Sequence, residues 1–403
     1  MQERDRSQLE FIVLMAALMS IVALSIDAVL PALPQIGEYL SVSNPLNNQK
    51  LITTIFLGLG IGQLIFGPLS DSFGRKPIVY TGFVIFIIAS VICLTTRNFE
   101  MMLFGRLLQG VGLACPRTMT IAMIRDSYSG DYMAKIISIV VMIFILVPVI
   151  APTLGQFLMN AYSWQSIFGV TLGFGVLVMI WFWFRQPETL KPQFILPYRL
   201  KLYITGTKAF FKIKPAVVFT LLSGFITGSF MVYLSASQQI FQKQYGLGQE
   251  FPYIFASLAI SVGFATFLNS RLVIRFGMMK LVHIAMLGYV LTSILYLILY
   301  ANQPNPSVII LVSFFAVQFF CIGFLFGNLR ALAMEPMGHI AGVGSALNGF
   351  ISTVMAVPIA DYIGSFVDET VIPLFVGFSI CGLISLILFY GQAPYMKRVF
   401  RTG

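Results

Sequence analysis

Apolar runs of roughly 20 residues follow one another along almost the whole chain, the length at which an α-helix crosses a bilayer core about 30 Å thick. Each run is continuous rather than alternating residue by residue, so the pattern predicts helices and not barrel strands. Twelve such segments can be read, at 9–30, 51–69, 78–95, 99–124, 136–161, 167–184, 216–235, 251–270, 281–300, 308–329, 340–366 and 371–390. Composition agrees, with 58% hydrophobic and 10% charged residues and a mean hydropathy of +0.89, outside the range of a water-soluble domain. The first run lacks a small-residue cleavage site and ends in Pro31 and Pro34, so it is expected to be a retained span and not a signal peptide.

A net charge of +10 raises nucleic acid as a partner, but the placement of the charges argues against it. Of 25 Lys and Arg residues, 20 fall on the side of the membrane that carries both termini, three (Lys50, Arg97, Lys243) on the other, and two (Arg106, Arg117) inside a span. By the positive-inside rule both termini are cytoplasmic, and the basic excess suits anionic headgroups. The longest polar connection, 185–214, carries seven Lys or Arg with Pro187, Pro192, Pro197 and Gly206. It divides the chain into an N-terminal six-helix bundle, 1–184, and a C-terminal six-helix bundle, 215–403, a layout used by transporters with internal repeats. Cys93, Cys115, Cys321 and Cys381 all lie in apolar spans and read as small core hydrophobes without disulfide or metal spacing.

Between the second and third spans stands Gly67-Pro68-Leu69-Ser70-Asp71-Ser72-Phe73-Gly74-Arg75-Lys76-Pro77. Gly67 permits close helix approach, Gly74 permits a tight turn, and Asp71 can meet Arg75 or a helix N-terminus. The stretch resembles the G-x-L-x-D-x-x-G-R-K signature of the major facilitator superfamily at every specified position. Asn269 to Gly277 looks like a decayed second copy in the other half. Arg106-Leu107-Leu108-Gln109-Gly110 resembles the family's R-x-x-Q-G motif, and Pro148 to Gln156 is similar to its G-P-x-x-G-G antiporter motif, with Ala151 and Gln156 in place of glycines. Together with Asp27 to Pro34, Arg125-Asp126, Pro187-Glu188-Thr189-Leu190 and Met334-Glu335-Pro336, these resemble the Bcr/CflA branch of twelve-span drug:proton antiporters. Trp164-Gln165 stands where that branch shows Trp-Arg.

The resemblance implies an all-α membrane protein with the major facilitator fold, exporting amphipathic drugs through the inner membrane by alternating access, driven by protons, without a cofactor and as a monomer. It further implies that Gly67, Asp71, Gly74 and Arg75 act as a conformational latch, and that Pro148, Pro152 and Gly155 shape a gating helix. The chain lacks a G-x-x-x-x-G-K-[ST] phosphate loop, which leaves an ion gradient as the expected driving force.

Ionisable residues within spans are expensive and usually line a cavity or pair with one another. Asp27 lies ~10 Å and Arg106 ~8 Å outward of the middle of their spans, so the two are expected to face a common cavity and to interact directly or through water. Burial opposes charge on Asp27 whereas a guanidinium opposite favours it, which makes Asp27 the candidate proton carrier; the related reading is a static ion pair holding the bundle. Arg117 follows Arg106 on the same helix stripe, about 20° away and roughly 16 Å along the axis. Two guanidiniums in one cavity would favour carboxylate-bearing solutes. Asp361 lies nearer the interface, and Tyr233, Gln238, Gln239, Asn328 and Asn348 are further candidate polar contacts for substrate. Two other readings stay open: an exporter of an anionic metabolite such as a carboxylate siderophore, and a membrane-embedded enzyme. The second lacks a nucleophile with its base or a metal set, since His283 and His339 have no acid or cysteine cluster beside them.

Overall fold

The computed structural model describes residues 7–195 and 200–392. Arg4, Arg6, Arg199, Lys397, Arg398 and Arg401 of the topology argument lie outside the described residues, as do the side chains of Lys135, Lys201 and His339. Two compact units divide the chain between Arg199 and Leu200.

The first unit contains α1 (Gln8–Asp27), α2 (Leu33–Tyr39), α3 (Lys50–Phe73), α4 (Arg75–Thr95), α5 (Phe99–Ser127), α6 (Gly130–Ala161) and α7 (Trp164–Arg185). The second contains α8 (Leu200–Lys212), α9 (Lys214–Gln238), α10 (Phe251–Phe276), α11 (Met278–Tyr300), α12 (Val308–Met334), α13 (Ala341–Gly364) and α14 (Ile372–Tyr390). Twelve helical segments among the described residues are long and apolar enough to cross a membrane. Polar side chains at their ends supply caps: Ser7 accepts from the Glu10 amide at 3.1 Å and Asn98 from the Met101 amide at 3.0 Å, answering amides that a helix start leaves unpaired.

Three boundaries differ from the sequence reading. The first span does not stop at Leu30: a 3₁₀ turn, Leu30–Ala32, joins α1 to α2 so that the helical run reaches Tyr39. Pro31 and Pro34 each sit in the first turn of a new segment, where a missing amide hydrogen costs nothing. Beyond Gln238 a π-helical stretch, Gln239–Gln244, prolongs the seventh span. The polar connection also contains α8, a helix of its own.

Lipid offers no hydrophobic drive between helices, so van der Waals fit and small residues hold such bundles. Large apolar side chains face outward, for instance Ile298 and Ile309 at 75% exposure and Leu177 at 66%, the reverse of a soluble protein. The two units share a small-residue crossing at matching places. A Cβ added to Gly62 on α3 would lie 2.5 Å from the Ala114 Cβ on α5, and one added to Gly323 on α12 would lie 2.6 Å from the Ala265 Cβ on α10. Gly62 precedes Gly74 by the same twelve residues that separate Ala265 from Gly277. Gly74 and Gly277 both have positive φ, +94° and +74°, at the turns that start α4 and α11. The two units thus share this spacing and turn, the pattern a repeated bundle would leave at its contact points.

Candidate functional site

The strongest polar cluster of the first unit is built on the α3–α4 turn. Gly74 takes a φ that side chains resist, and a Cβ there would also lie 2.6 Å from Oε2 of Glu188. The turn brings Arg75, only 3% exposed, back along α3. Its Nη1 donates to Ser70 Oγ and to Asp71 Oδ1, both at 2.6 Å, and its Nε donates to Asp126 Oδ2 at 2.9 Å on the end of α5. Thr189 Oγ1 donates to the same Asp126 oxygen at 3.2 Å. Glu188, just after α7, accepts from the Arg75 amide at 3.0 Å and the Lys76 amide at 2.9 Å. It also accepts from the amides of Thr189 and Leu190. A carboxylate against the first amides of α4 satisfies donors that the helix cannot and sits at the favourable end of its dipole. One knot thus ties the end of α3, the start of α4, the end of α5 and the segment after α7. Asp71 meets Arg75, one of the two partners its spacing allowed. Gly67 contributes its carbonyl, which accepts from Ser70 Oγ at 2.7 Å.

Pro148 and Pro152 lie inside α6, where each removes a backbone donor. One turn on, Gly155 is pressed on the backbone of Ala28: an added Cβ would run into the Ala28 carbonyl oxygen. The antiporter-like motif and the acid of the first span are therefore brought together, since Ala28 directly follows Asp27.

Asp27 ends α1 at 5% exposure and Arg106 on α5 is fully buried. Their matched depths led to the expectation of an interaction directly or through water; among the described residues no direct ion pair joins them. Arg106 has other acceptors. Its Nε donates to the Leu51 carbonyl at 2.9 Å, and its Nη1 to the Ser25 carbonyl at 3.0 Å and to Gln109 Oε1 at 2.9 Å. The guanidinium lies 5.8 Å from the Phe168 ring centre, and Gln109 Nε2 donates onward to Ser90 Oγ at 2.8 Å. Carbonyl oxygens solvate a buried guanidinium as a carboxylate would, without requiring a second charge. Arg106 so joins α1, α3 and α5, with Gln109 carrying the link on to α4, and it reaches α1 two residues before Asp27. Its Nη2 and the Ser25 hydroxyl are buried without a partner. Arg117, on the same helix, is half-buried, as is Asp361 on α13.

The candidate contacts of the second unit are mostly engaged within it. Tyr233 on α9 is 2% exposed and stands among Phe319, Phe315 and Phe255, with ring centres 4.6, 5.1 and 6.3 Å away. Asn328 Nδ2 donates to Asn269 Oδ1 at 2.7 Å, joining α12 to α10, and Asn348 Nδ2 donates to Thr220 Oγ1 at 2.8 Å, joining α13 to α9. These two amides hold helices together, which is what a buried amide does most cheaply when an acceptor is in reach. Gln238 is buried at the end of α9, and Gln239 Nε2 donates to Asp368 Oδ1 at 3.0 Å.

Sequence reasoning quoted Gln109, Asp126 and Glu188 as parts of motifs without giving any of them a task, and it passed over Ser25 and Gln318. Gln318 is fully buried with neither amide atom hydrogen-bonded. Its signal was the internal repeat: it lies five residues before Gly323 as Gln109 lies five before Ala114. By the same register Phe315 occupies the place of Arg106. No group of three or more His, Cys, Asp or Glu able to hold a metal exists among the described residues.

A sequence model of the Major Facilitator Superfamily matches residues 15–360. The chain is 27% identical over 390 residues to a bicyclomycin resistance protein homolog of Haemophilus influenzae, covering 96% of this chain and 97% of that one. It is 28% identical to the uncharacterized MFS-type transporter YdgK of Bacillus subtilis, covering 96% of each chain. It is 27% identical to the multidrug resistance protein MdtL of Escherichia coli, covering 95% of this chain and 96% of that one. Among solved structures, a D-xylose-proton symporter superposes with a TM-score of 0.73 at 14% identity, covering 94% of this chain and 97% of that one. The human organic anion transporter MFSD10 superposes with 0.65 at 14% identity, covering 94% and 98%. These structural likenesses carry the fold. With the family match running through most of its length and twelve apolar helices to span a bilayer, the chain belongs to the major facilitator superfamily, as a multi-pass membrane transporter of small molecules.

Proposed function

We propose that this transporter is a proton-coupled exporter of amphipathic drugs in the inner membrane, with both termini cytoplasmic, acting as a monomer by alternating access. Residues 1–184 and 215–403 serve as its two bundles and 185–214 as the linker. The names carried by the relatives in Haemophilus influenzae and Escherichia coli support the cargo class. The observation that carries the coupling is Asp27, a carboxyl 5% exposed on a spanning helix, with no basic side chain within ion-pair distance among the described residues. A lone carboxylate there is costly and a carboxylic acid is not, so exchange of its proton is the step that substrate and gradient can drive. Arg106 acts as a positioning residue, fixing the α1 backbone beside Asp27 through the Ser25 carbonyl. The Gly67–Arg75 turn with Asp71 and Gly74 serves as a latch, and α6 with Pro148, Pro152 and Gly155 as a moving helix. Arg117, Tyr233 and Gln238 remain the side chains proposed to meet solute.

The test is counterflow of a cationic dye in proteoliposomes under an imposed pH gradient. Asp27→Asn should abolish gradient-driven export, and coupled export surviving at the parent rate defeats the assignment. A second reading, export of a carboxylate-bearing metabolite, is favoured by the half-buried Arg117 on α5. Arg117→Gln losing carboxylate export while keeping dye export would select it.

A further inference from the structure

α8 spans thirteen residues, Leu200–Lys212, or ~20 Å, too short to cross a bilayer. Its inner face is spoken for. A Cβ on Gly206 would meet the Val343 side chain at 3.1 Å at the start of α13, and Phe210, one turn later, is fully buried. Its outer face is not what water favours: Ile204 is 48% and Phe211 58% exposed. Seven residues apart, they lie about 20° from each other around the axis and form one apolar edge. Beside that edge, on the adjoining arc of the helix, stand the exposed Lys208 and Lys212.

Continuity of the chain fixes what this face meets. A single residue, Ile213, separates α8 from α9, and α9 opens a membrane-spanning segment at Lys214. α8 also contacts the 3₁₀ turn Glu335–Ile340, where the spanning helix α12 ends and α13 begins. The helix is therefore held at the level where α9 enters and α12 leaves the bilayer. An apolar edge with flanking lysines at that level has the arrangement of an interfacial helix, with alkyl stems along the acyl boundary and ammonium groups at the phosphates.

We propose that α8 docks on an anionic phospholipid surface, Ile204 and Phe211 set among the upper acyl chains and Lys208 and Lys212 on headgroup phosphates. The grip is transmitted to α13 through the Gly206–Val343 contact, so the lipid composition of the leaflet acts on the start of that helix. The inference requires that the chain span a membrane and is independent of what it carries or how it is driven.

The full-length protein with Phe211→Cys, labelled with an environment-sensitive thiol fluorophore, tests it in vesicles of phosphatidylcholine alone or mixed with phosphatidylglycerol. Cys93, Cys115, Cys321 and Cys381 are buried, and the unsubstituted protein gives the background. Lipids spin-labelled high on the acyl chain should quench the probe and aqueous iodide should not, with quenching rising about twofold when phosphatidylglycerol is present. Lys208→Gln with Lys212→Gln should remove that rise. Ile204→Cys should repeat the pattern as a second probe on the same edge. A probe quenched by iodide and indifferent to spin-labelled lipid overturns the docking. Equal lipid quenching in both vesicle types, or a rise that persists in the double lysine variant, overturns the anionic headgroup contact.

Discussion

Gly155 on α6 rests directly on the carbonyl of Ala28, so that no side chain fits between the two helices at the residue following Asp27. The proposed proton carrier thus sits at a crossing whose closeness depends on a missing methyl group. Gly155→Val must push α6 off α1, and overpacking of this kind costs roughly 1–3 kcal/mol. Thermal unfolding in detergent should register that loss together with loss of transport. Gly169 on α7 has no atom within 4 Å of an added Cβ, so Gly169→Ala should leave both readings unchanged or slightly improved.

The turn at Gly74 makes a second prediction, because the same glycine meets two demands. Its φ of +94° resists a side chain, and Glu188 Oε2 occupies the space one would need. Gly74→Ala should cost about 1–3 kcal/mol through strain and displacement of the carboxylate. Glu188→Gln keeps one acceptor for the amides of Arg75 and Lys76 and should cost less. If the two variants unfold at the same temperature as the parent, the clamp between α4 and the segment after α7 carries no energy.

How far these contacts could be read without coordinates depends on what imposes them. The bilayer forces apolar length, so the helices were legible from the runs themselves. Proline was misread as a terminator at Pro31 because its role depends on where the next turn begins. α8 escaped notice because thirteen residues mixing Lys with Ile and Phe look like polar linker until the buried Phe210 distinguishes one face. The depths of Asp27 and Arg106 identified the right neighbourhood, but rise per residue fixes height and not the acceptor a guanidinium chooses. Backbone carbonyls at Ser25 and Leu51 are invisible to side-chain reasoning. Glu188 was spelled out in a motif, yet its contact with Arg75 crosses 113 residues and no local pattern carries it.

A proton carrier and a static ion pair at Asp27 differ in stability as well as in transport. Breaking a buried pair by removing one partner costs roughly 3–5 kcal/mol. Asp27→Asn should instead unfold at or slightly above the parent temperature at neutral pH, since a neutral amide replaces a carboxyl that has no ion-pair partner among the described residues. A drop as large as that of a broken pair would restore the static reading.

Arg106 should behave in the opposite way. Arg106→Gln takes charged donors from the Leu51 and Ser25 carbonyls and from Gln109, and hydrogen bonds to a charged group contribute about 1.5–3 kcal/mol each. Arg106→Lys retains the charge but not the fork that meets acceptors on two other helices and its own. Both variants should be strongly destabilised, and a folded Arg106→Lys with full transport would remove the positioning role.

The repeat supplies the last comparison, between two glutamines at equivalent places in the two units. Gln109 is used twice, accepting from Arg106 and donating to Ser90, so Gln109→Leu should destabilise by about 1–3 kcal/mol by taking an acceptor from Arg106 and a donor from Ser90. In the second unit Phe315 replaces the arginine, and Ser293, the counterpart of Ser90, turns its hydroxyl to the Tyr289 carbonyl instead. Gln318 is left fully buried with its amide unpaired. A buried amide without partners is a cost that an apolar side chain of similar size does not carry. Gln318→Leu should therefore raise the unfolding temperature where Gln109→Leu lowers it, each measured by intrinsic fluorescence of the detergent-purified protein. If the two substitutions lower it equally, Gln318 has a hydrogen-bonding duty of its own, and the second unit has kept the polar function of the first by another route.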